Sequence, residues 1–351
     1  MIKKGMMMPM LLPRPTATPS KIEGELSRIG TMCRSRKKRA DASLGIGDDN
    51  TFARKVFFSE IHIVENKHAK LKYINMKKFL TIILLFVLLA PAMAQKDTIT
   101  VISFNIRYNN PGDGDNIWDN RKASCVKMAQ MEKPDFLCVQ EAYFVQLDYL
   151  HRSLSGYDYI GVGRDDGKQG GEHMAILYNK DRYEVVEHGD FWLSETPDIC
   201  SRGWDAACHR IVTWGYFRDK QTGKYLYCFN THLDHVGEVA RRESVKLITQ
   251  RVKGIVKDKR APVFLTGDFN SDISSDIFDP LKKVMKQARK DAPVTDSKGT
   301  FNGWGSAPNN IVIDHIFYKN AKPLLYCTLN ENKYGRALIS DHFPIKSVFL
   351  Y

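Results

Sequence analysis

The sequence predicts an α/β fold in which two β-sheets pack against each other and helices cover them. Three observations lead to this prediction. Short β-branched runs alternate with amphipathic stretches from about residue 97 to the C-terminus. Several of these runs are separated only by a turn, which is typical of antiparallel pairs. Residues 97–351 contain no Gly/Pro/Ser-rich linker, so we expect a single domain of about 255 residues.

Strands are expected where apolar and β-branched residues cluster, and the segment 219–223 (DKQTG) between two of them predicts a hairpin. The predicted strands are 98–106, 136–140, 157–162, 174–178, 183–187, 211–218, 224–230, 262–266, 313–318 and 346–350. Apolar residues at helical spacing predict helices at 120–133, 142–154, 238–256 and 274–289.

The segment 76–95 (MKKFLTIILLFVLLAPAMAQ) has the three parts of a secretory signal peptide: a basic start, an apolar run and a small-x-small site. Its apolar run is about 12 residues long, against the roughly 20 that a transmembrane helix needs. We therefore predict a signal peptide at 76–94, cleavage before Gln95, and a periplasmic or extracellular protein without a membrane span. Residues 1–75 lack apolar periodicity and are predicted to be a disordered, non-native extension or leader ahead of a translation start at Met76.

The strongly basic composition belongs mainly to the N-terminus. Of the formal net charge of +12, residues 1–75 contribute +8 (15 Lys and Arg against 7 Asp and Glu) and Lys77 and Lys78 a further +2. The exported part is thus close to neutral at +2, and its charge does not predict a polyanion-binding surface.

Seven cysteines are present, and no CxxC or Cys/His spacing indicates a zinc site. Cys125, Cys138 and Cys228 lie in apolar stretches and are expected in the core. Export permits disulfides, and Cys200 with Cys208, which flank a predicted loop, is the one reasonable pair; free thiols at both positions are the alternative.

Polar residues of the kind that carry chemistry occur at the ends of predicted strands. They are Asn105, Glu141, His232, Asp268, Asn270, Asp314, Asp341 and His342. Taken singly, each has an ordinary explanation as a turn residue, a helix cap or a structural histidine. Strand ends that converge on one edge of a sheet are where sites form, so their combination in one domain predicts a functional site.

The segments SFNIR, VQEAY, NTHLDH, TGDFNSD, IDHIF and SDHFP resemble the endonuclease/exonuclease/phosphatase superfamily, which includes pancreatic deoxyribonuclease and neutral sphingomyelinases. The resemblance covers about residues 98–350, and GDFN together with SDHFP is highly specific. The stretches RDDG, FWLSETPD and GWDAACHRIVTW resemble an exported bacterial branch of that family. The resemblance implies a catalytic domain at 95–351, a four-layer α/β sandwich and metal-dependent hydrolysis of phosphoester bonds.

The resemblance also implies a role for each residue of the site. Glu141 is the principal ligand of a Mg²⁺ (or Mn²⁺) ion, with Asn105 and Asp341 close to it, since a hard cation neutralises charge on phosphoryl oxygens. His342 is the base that activates water, and Asp314 orients an imidazole. Asp268 and Asn270 position the nucleophile and a phosphoryl oxygen, and His232 donates to the phosphoryl group or to the leaving oxygen.

Three further positions concern the substrate. Arg164, ahead of a Gly-Gly pair, is a candidate phosphate clamp, and a solvated loop arginine is the alternative. His173 and His315 stand where many relatives have aromatic residues, and His173, like Asn105, is assigned to substrate contact. Arg107 stands where abasic-site endonucleases carry an acid, which weighs against two metal ions and against DNA repair.

The predicted function is hydrolysis of a phosphoester, by a phosphodiesterase or phosphatase acting on an unidentified phosphorylated substrate. A secreted nuclease or a sphingomyelinase-like enzyme is the alternative, and an inactive binding module on the same scaffold is a second one. The near-neutral charge indicates no stable nucleic-acid partner. A monomer is expected.

Overall fold

The computed structural model describes residues 98–351, so the predicted signal peptide at 76–94 and extension at 1–75 lie outside the described residues. Within 98–351, no helix combines the length and the hydropathy that crossing a membrane requires. The segments below are those of this described part.

The helices and strands alternate along the chain much as the periodicity predicts. The strands are β1 Thr98–Asn105, β2 Phe136–Gln140, β3 Ala142–Tyr143, β4 Tyr157–Ile160, β5 Glu172–His173, β6 Ile176–Asn179, β7 Tyr183–Trp192, β8 Ile211–Asp219, β9 Tyr225–His232, β10 Val263–Asp268, β11 Lys286–Gln287, β12 Asp314–Lys319, β13 Lys322–Thr328 and β14 Ile345–Leu350. The α-helices are α1 Trp118–Glu132, α2 Phe144–Ser153, α3 Glu238–Ile255, α4 Asp279–Lys282 and α5 Ala288–Asp291.

The two six-stranded sheets have the same arrangement of strands, with a parallel pair at the centre of each. The first runs β13-β14-β1-β2-β6-β4 and the second β11-β12-β10-β9-β8-β7, while β3 and β5 form a separate ribbon. In each sheet the central pair is parallel, β1 with β2 and β9 with β10, and every other pair is antiparallel. A parallel pair needs a long crossover, and α1 and α3 lie within these two connections.

Three apolar clusters stack across the sandwich. The middle one joins side chains of both sheets, for example Phe136 of β2 and Phe217 of β8, whose ring centroids are 4.8 Å apart. The first sheet packs its other face against α1 and α2, and the second packs its own against α3 and α4. The predicted α/β sandwich of two mixed sheets flanked by helices is therefore confirmed.

The predicted helix at 274–289 is wrong. A 3-10 turn begins after Ser275, whose side chain accepts from the Ile277 amide, α4 follows with Pro280 in its first turn, and Lys286 and Gln287 then pair with β12. Pairing with an adjacent strand gives these two residues sheet hydrogen bonds in place of helical ones. Strand β13 was not predicted, and β7 continues past its predicted end through a stretch that includes His188 and Asp190.

The cysteine pair considered above is not formed. Cys200 and Cys208 both carry free thiols, and the Cys200 Sγ lies 3.2 Å from the Asp165 carbonyl oxygen. Cys125, Cys138 and Cys228 are buried, as their apolar surroundings predict.

Candidate active site

The two central parallel pairs deliver four polar side chains to one end of the sandwich. Asn105 ends β1 and Glu141 follows β2, while His232 ends β9 and Asp268 ends β10. Asp268 lies beside His232 in the register of the second sheet, as Asn105 lies beside Gln140 in the first. Because parallel strands end at the same edge, residues distant in sequence meet there.

Asn105 connects the two sheets at this end. Its Nδ2 donates to Glu141 Oε1 over 2.9 Å and to Asp268 Oδ2 over 3.0 Å. Its Oδ1 accepts from the backbone amide of Arg107 over 3.0 Å. The amide group therefore presents its two N–H bonds to two carboxylates and fixes the spacing between them.

A second amide contact lies beneath the first and was not anticipated. Gln140 Nε2 donates to Asn230 Oδ1 over 2.6 Å, and Asn230 Nδ2 donates to the carbonyls of Val139 and Ala175. Both amide side chains are fully buried between the sheets. A polar residue near the end of an apolar strand, as in FLCVQ and YCFNTH, is the sequence signal that marks them.

His342 lies between two buried carboxylates. Its Nδ1 is 2.9 Å from Asp314 Oδ2 and its Nε2 is 3.6 Å from Asp268 Oδ2. Burial lowers the pKa of His342, but the charges of Asp314 and Asp268 outweigh burial and raise that pKa to about 10. Burial and the charge of Asp314 raise the pKa of Asp268 to about 7, against the opposing charge of His342. The group can thus hold a proton between an imidazole and a carboxylate.

His232 approaches the same oxygen of Asp268 from another side. Its Nε2 lies 3.4 Å from Asp268 Oδ2 and 3.0 Å from Asn270 Nδ2. Burial, with the charges of Arg210 and Arg164, holds the pKa of His232 well below its usual value. Its imidazole is therefore neutral at neutral pH.

Three residues of the site adopt left-handed backbone conformations. Arg107 has φ 56°, Glu141 has φ 62° and Asn270 has φ 48°. Such conformations cost free energy in non-glycine residues and concentrate at functional sites. A hydrogen bond supports each of them: the Arg107 amide donates to Asn105 Oδ1, the Tyr108 amide donates to Glu141 Oε2, and the Asn270 amide donates to Asp268 Oδ1.

The donor set fits a divalent cation. Single ligand atoms of Glu141, His232 and Asp268 all lie within 4.8 Å of one another, and those of Asp268, Asp314 and His342 form a second such group. Burial and the nearby charge of Glu141 raise the pKa of Asp341, against the opposing charges of His342 and Arg107. Carboxylate oxygens are hard donors of the kind that Mg²⁺ or Mn²⁺ prefers.

Two of the predicted substrate contacts lie beside the cluster instead of within it. Arg164 is buried, and its Nη1 is 2.6 Å from Glu172 Oε2. The His173 ring is 1% exposed and its Nδ1 lies 3.1 Å from the Ala142 carbonyl, so it supports the segment that follows Glu141. Asp341 lies near Arg107, whose Nη1 is 3.7 Å from its carboxylate.

The fold and the carboxylate–histidine cluster define a class of phosphoester-cleaving enzymes. Residues 102–342 match the Endonuclease/Exonuclease/phosphatase family. The chain belongs to this family and is a phosphoric ester hydrolase.

Solved structures of similar proteins agree. A mannosyl-6-phosphatase of Bacteroides thetaiotaomicron is 39% identical with a TM-score of 0.68, over 72% of this chain and 100% of that one. An endonuclease/exonuclease/phosphatase from Bacteroides vulgatus is 40% identical with a TM-score of 0.69, over 72% and 99%. Among sequence relatives, an uncharacterized protein of Acanthamoeba polyphaga mimivirus is 26% identical in an alignment of 256 residues that covers 66% of this chain and 92% of that protein.

Proposed function

We propose that this chain is an exported phosphatase that hydrolyses a phosphorylated sugar with one Mg²⁺ (or Mn²⁺) ion held at Glu141. The observation that carries the proposal is the contact of Asn105 with both Glu141 and Asp268. It places a cation ligand and a proton-accepting group on either side of one amide, with ligand atoms of Glu141 and Asp268 within 4.8 Å of each other, so both can act on one phosphoryl group.

Each residue of the cluster has a task in this proposal. The ion, when bound, neutralises charge on the phosphoryl oxygens. Asp268, paired with His342 and Asp314, takes a proton from the attacking water in place of His342, the base that the resemblance implies, because the charges of Asp314 and Asp268 outweigh burial, raise the pKa of His342 to about 10 and keep its imidazole protonated. Asn270 and Asn105 hold the nucleophile and the phosphate in place, and the neutral imidazole of His232 donates a hydrogen bond to the phosphoryl group or to the leaving oxygen. Asp341 completes the acidic rim near the ion.

One ion, not two, is favoured by Arg107. Its guanidinium lies 3.7 Å from Asp341 and forms an ion pair with Asp113 at 3.0 Å. Because the charge of Arg107 already offsets part of the negative charge of Asp113 and Asp341, less negative charge remains to hold a second cation beside the first.

A sugar phosphate is favoured as the substrate because the Bacteroides relative with 39% identity is a mannosyl-6-phosphatase. The near-neutral charge of the chain after residue 95 supports a small substrate over an extended nucleic acid. A secreted nuclease, a sphingomyelinase-like enzyme and an inactive binding module remain the competing hypotheses.

The test is to offer the purified protein mannose 6-phosphate, an oligonucleotide and sphingomyelin, each with Mg²⁺, with Mn²⁺ and with a chelator. We expect phosphate release from mannose 6-phosphate that the chelator abolishes. Cleavage of the oligonucleotide or of sphingomyelin alone would favour those alternatives, and no turnover at all would favour the binding module. Mass spectrometry of the exported protein is expected to find a chain that starts at Gln95.

A further inference from the structure

Exposed lysines gather at the end of the second sheet that lies opposite the active site. In the pairing of β10 with β12, Asp268 lies beside Asp314 at the active-site end, and Val263 lies beside Lys319 at the other end. Five residue steps of strand separate these two ends, which is about 16 Å. The exposed lysines near Lys319 come from α4, β11, α5, β12, β13 and the turn after α4, and they are Lys282, Lys283, Lys286, Lys290, Lys319 and Lys322.

These lysines line two adjoining grooves of about 720 Å³ and 1110 Å³. Lys282, Lys286 and Lys322 belong to both grooves, so the two form one continuous depression, which we call the lysine groove. Within the described part of the chain, the acidic groups of its lining are Asp291 and the carboxylate of the last residue, Tyr351. The lining therefore carries a clear excess of positive charge.

Five of the six lysines form no ion pair within residues 98–351, and the sixth, Lys282, reaches Asp279 over 3.8 Å. Elsewhere in the domain, Lys333 and Lys346 both pair with Glu132 at 2.9 Å. Grouping like charges without acidic partners costs free energy, and an anion bound among them removes that cost. The near-neutral total charge of the chain after residue 95 thus conceals an uneven distribution.

Protection of sheet edges does not account for the whole group. Lysines on edge strands prevent pairing with another chain, and Lys286 in β11 and Lys322 in β13 do lie on the edge strands of the two sheets. Lys283 follows α4, Lys290 lies in α5, and Lys319 ends β12, an interior strand. These three contribute to the charge of the groove without protecting an edge.

We propose that the lysine groove is a second binding site, separate from the active site, for a glycan that carries several phosphate groups. The choice of a phosphorylated glycan rests on the proposed function, whereas the preference for a polyanion rests on the charge of the groove alone. The substrate is then a phosphorylated polymer of which a single sugar phosphate is the reacting unit.

The walls of the groove favour a glycan over a nucleic acid. Single-stranded nucleic acids stack their bases on exposed aromatic rings. Tyr318 is 4% exposed and its hydroxyl donates to Asp291 over 2.7 Å. Tyr351 is half-buried, and its hydroxyl donates to Asp219. Neither ring offers a free face, while lysine binds phosphate as a point charge on a flexible stem and needs no stacked base.

The consequence concerns the binding of long substrates. A glycan long enough to extend from the groove to the active site is held at both places, so its reacting phosphate has a raised local concentration at Glu141. A single sugar phosphate reaches only one of the two places at a time. The groove should therefore lower KM for a polymeric substrate and leave KM for mannose 6-phosphate as it is.

The first experiment measures binding without turnover. Purified protein is titrated with inorganic polyphosphate in the presence of a chelator, at several salt concentrations. The double variant Lys286→Gln/Lys322→Gln should raise the dissociation constant about 10-fold at low salt and reduce the salt dependence by about one to two counterions. An oligonucleotide and vesicles of phosphatidylglycerol are titrated in parallel, to separate a glycan from a nucleic acid and from a membrane surface.

The matched control is Lys127→Gln/Lys253→Gln. These two lysines are exposed on α1 and α3, and their replacement removes the same net charge outside the groove. The control should change the dissociation constant for polyphosphate by less than about twofold, because salt screens distant charges.

The second experiment compares the kinetics on a phosphorylated mannan with those on mannose 6-phosphate. The groove variant should raise KM for the mannan about 5- to 10-fold and keep kcat, and both constants for mannose 6-phosphate should stay within about twofold. A parallel rise in KM for mannose 6-phosphate would make the groove part of the active site and contradict its separate role.

Other results would also overturn the inference. They are an equal loss of polyphosphate binding in the control, an unchanged KM for the mannan, or tighter binding of the oligonucleotide or the vesicles that the groove variant abolishes. The polyphosphate titration does not depend on catalysis. A protein that hydrolyses no phosphoester would refute the proposed function, while the titration still decides whether the groove binds polyanions.

Discussion

The parallel pair β1–β2 and the parallel pair β9–β10 are built alike but end in different chemistry. Each pair lies at the centre of a six-stranded sheet, and each brings two polar residues to the same end of the sandwich. The first pair ends in Asn105 and Glu141, and the second ends in His232 and Asp268.

The two ends differ in burial. Glu141 is partly exposed, so its carboxylate is open to a cation and to the phosphate of a substrate. Asp268 is 1% exposed and is surrounded by His232, His342 and Asn105. Burial raises the pKa of Asp268 to about 7, which suits a group that exchanges protons near neutral pH. Two strand pairs of the same build therefore end in different carboxylates. The partly exposed Glu141 is suited to bind a cation, and the buried Asp268 is suited to exchange protons.

The largest expected effect on activity comes from a substitution at the end of the first pair, β1–β2. Glu141→Gln removes the proposed principal ligand while keeping its size, and kcat/KM should fall about 1,000-fold, or about 4 kcal/mol of transition-state stabilisation. Glu187→Gln, at an exposed position of β7, is the control and should retain full activity. A loss of less than tenfold in steady-state assays with Mg²⁺ would remove Glu141 from the centre of the mechanism.

The second pair should respond differently. Asp268→Asn keeps the shape of the side chain but removes the proton acceptor, so kcat should fall about 100-fold. The Mg²⁺ concentration that gives half-maximal activity should stay as it was, whereas Glu141→Gln should raise it. If both variants raise the Mg²⁺ concentration for half-maximal activity equally, both strand pairs hold the ion. The proposed separation of the metal site from the proton-transfer site would then be wrong.

The contact between the pairs should matter for stability. Asn230→Ala removes three buried hydrogen bonds, two to the carbonyls of Val139 and Ala175 and one from Gln140 Nε2. The free energy of unfolding should fall by about 3 kcal/mol, as measured by urea denaturation. Asn309→Ala, at an exposed position, should change it by less than about 0.5 kcal/mol. Equal values for the two variants would mean that the buried amides do not join the sheets.

The smallest expected effect lies away from both pairs, at the end of α1. Hydrogen bonds from Lys346, Lys333 and Tyr334 outweigh burial and lower the pKa of Glu132 to about 2. A carboxylate with a lowered pKa in the folded state stabilises the fold above its unfolded pKa, near 4.5, and this contribution disappears as the pH falls toward 2.

Glu132→Gln should therefore cost about 1 kcal/mol at pH 7, a modest figure because Lys333 is partly exposed to water. Urea unfolding at pH 7 and pH 2.5 measures the difference between the variant and the unmodified protein at each pH. A difference of the same size at both pH values would exclude an electrostatic origin.

Strand-end residues were found from sequence because they combine two local signals. Asn105, Glu141, His232 and Asp268 each follow an apolar β run and stand in a short motif. Glu172, whose Oε2 lies 3.8 Å from His232 Nδ1, was not singled out from sequence, since it lies in a two-residue strand whose position depends on pairing with β3. The predicted helix at 274–289 failed for a related reason, because an adjacent strand offered Lys286 and Gln287 other hydrogen bonds.

The sequence by itself determined most of the order of strands and helices, the family and the residues that gather at the strand ends. The periodicity of apolar residues and the short motifs are local patterns, so they can be recognised in the sequence without knowledge of the fold. The tertiary structure decided the non-local features. Asn105 bridges two carboxylates, Asp268 is buried while Glu141 is partly exposed, and Glu172 lies near His232. Burial and pairing depend on which surfaces meet, and only the packed sheets determine that.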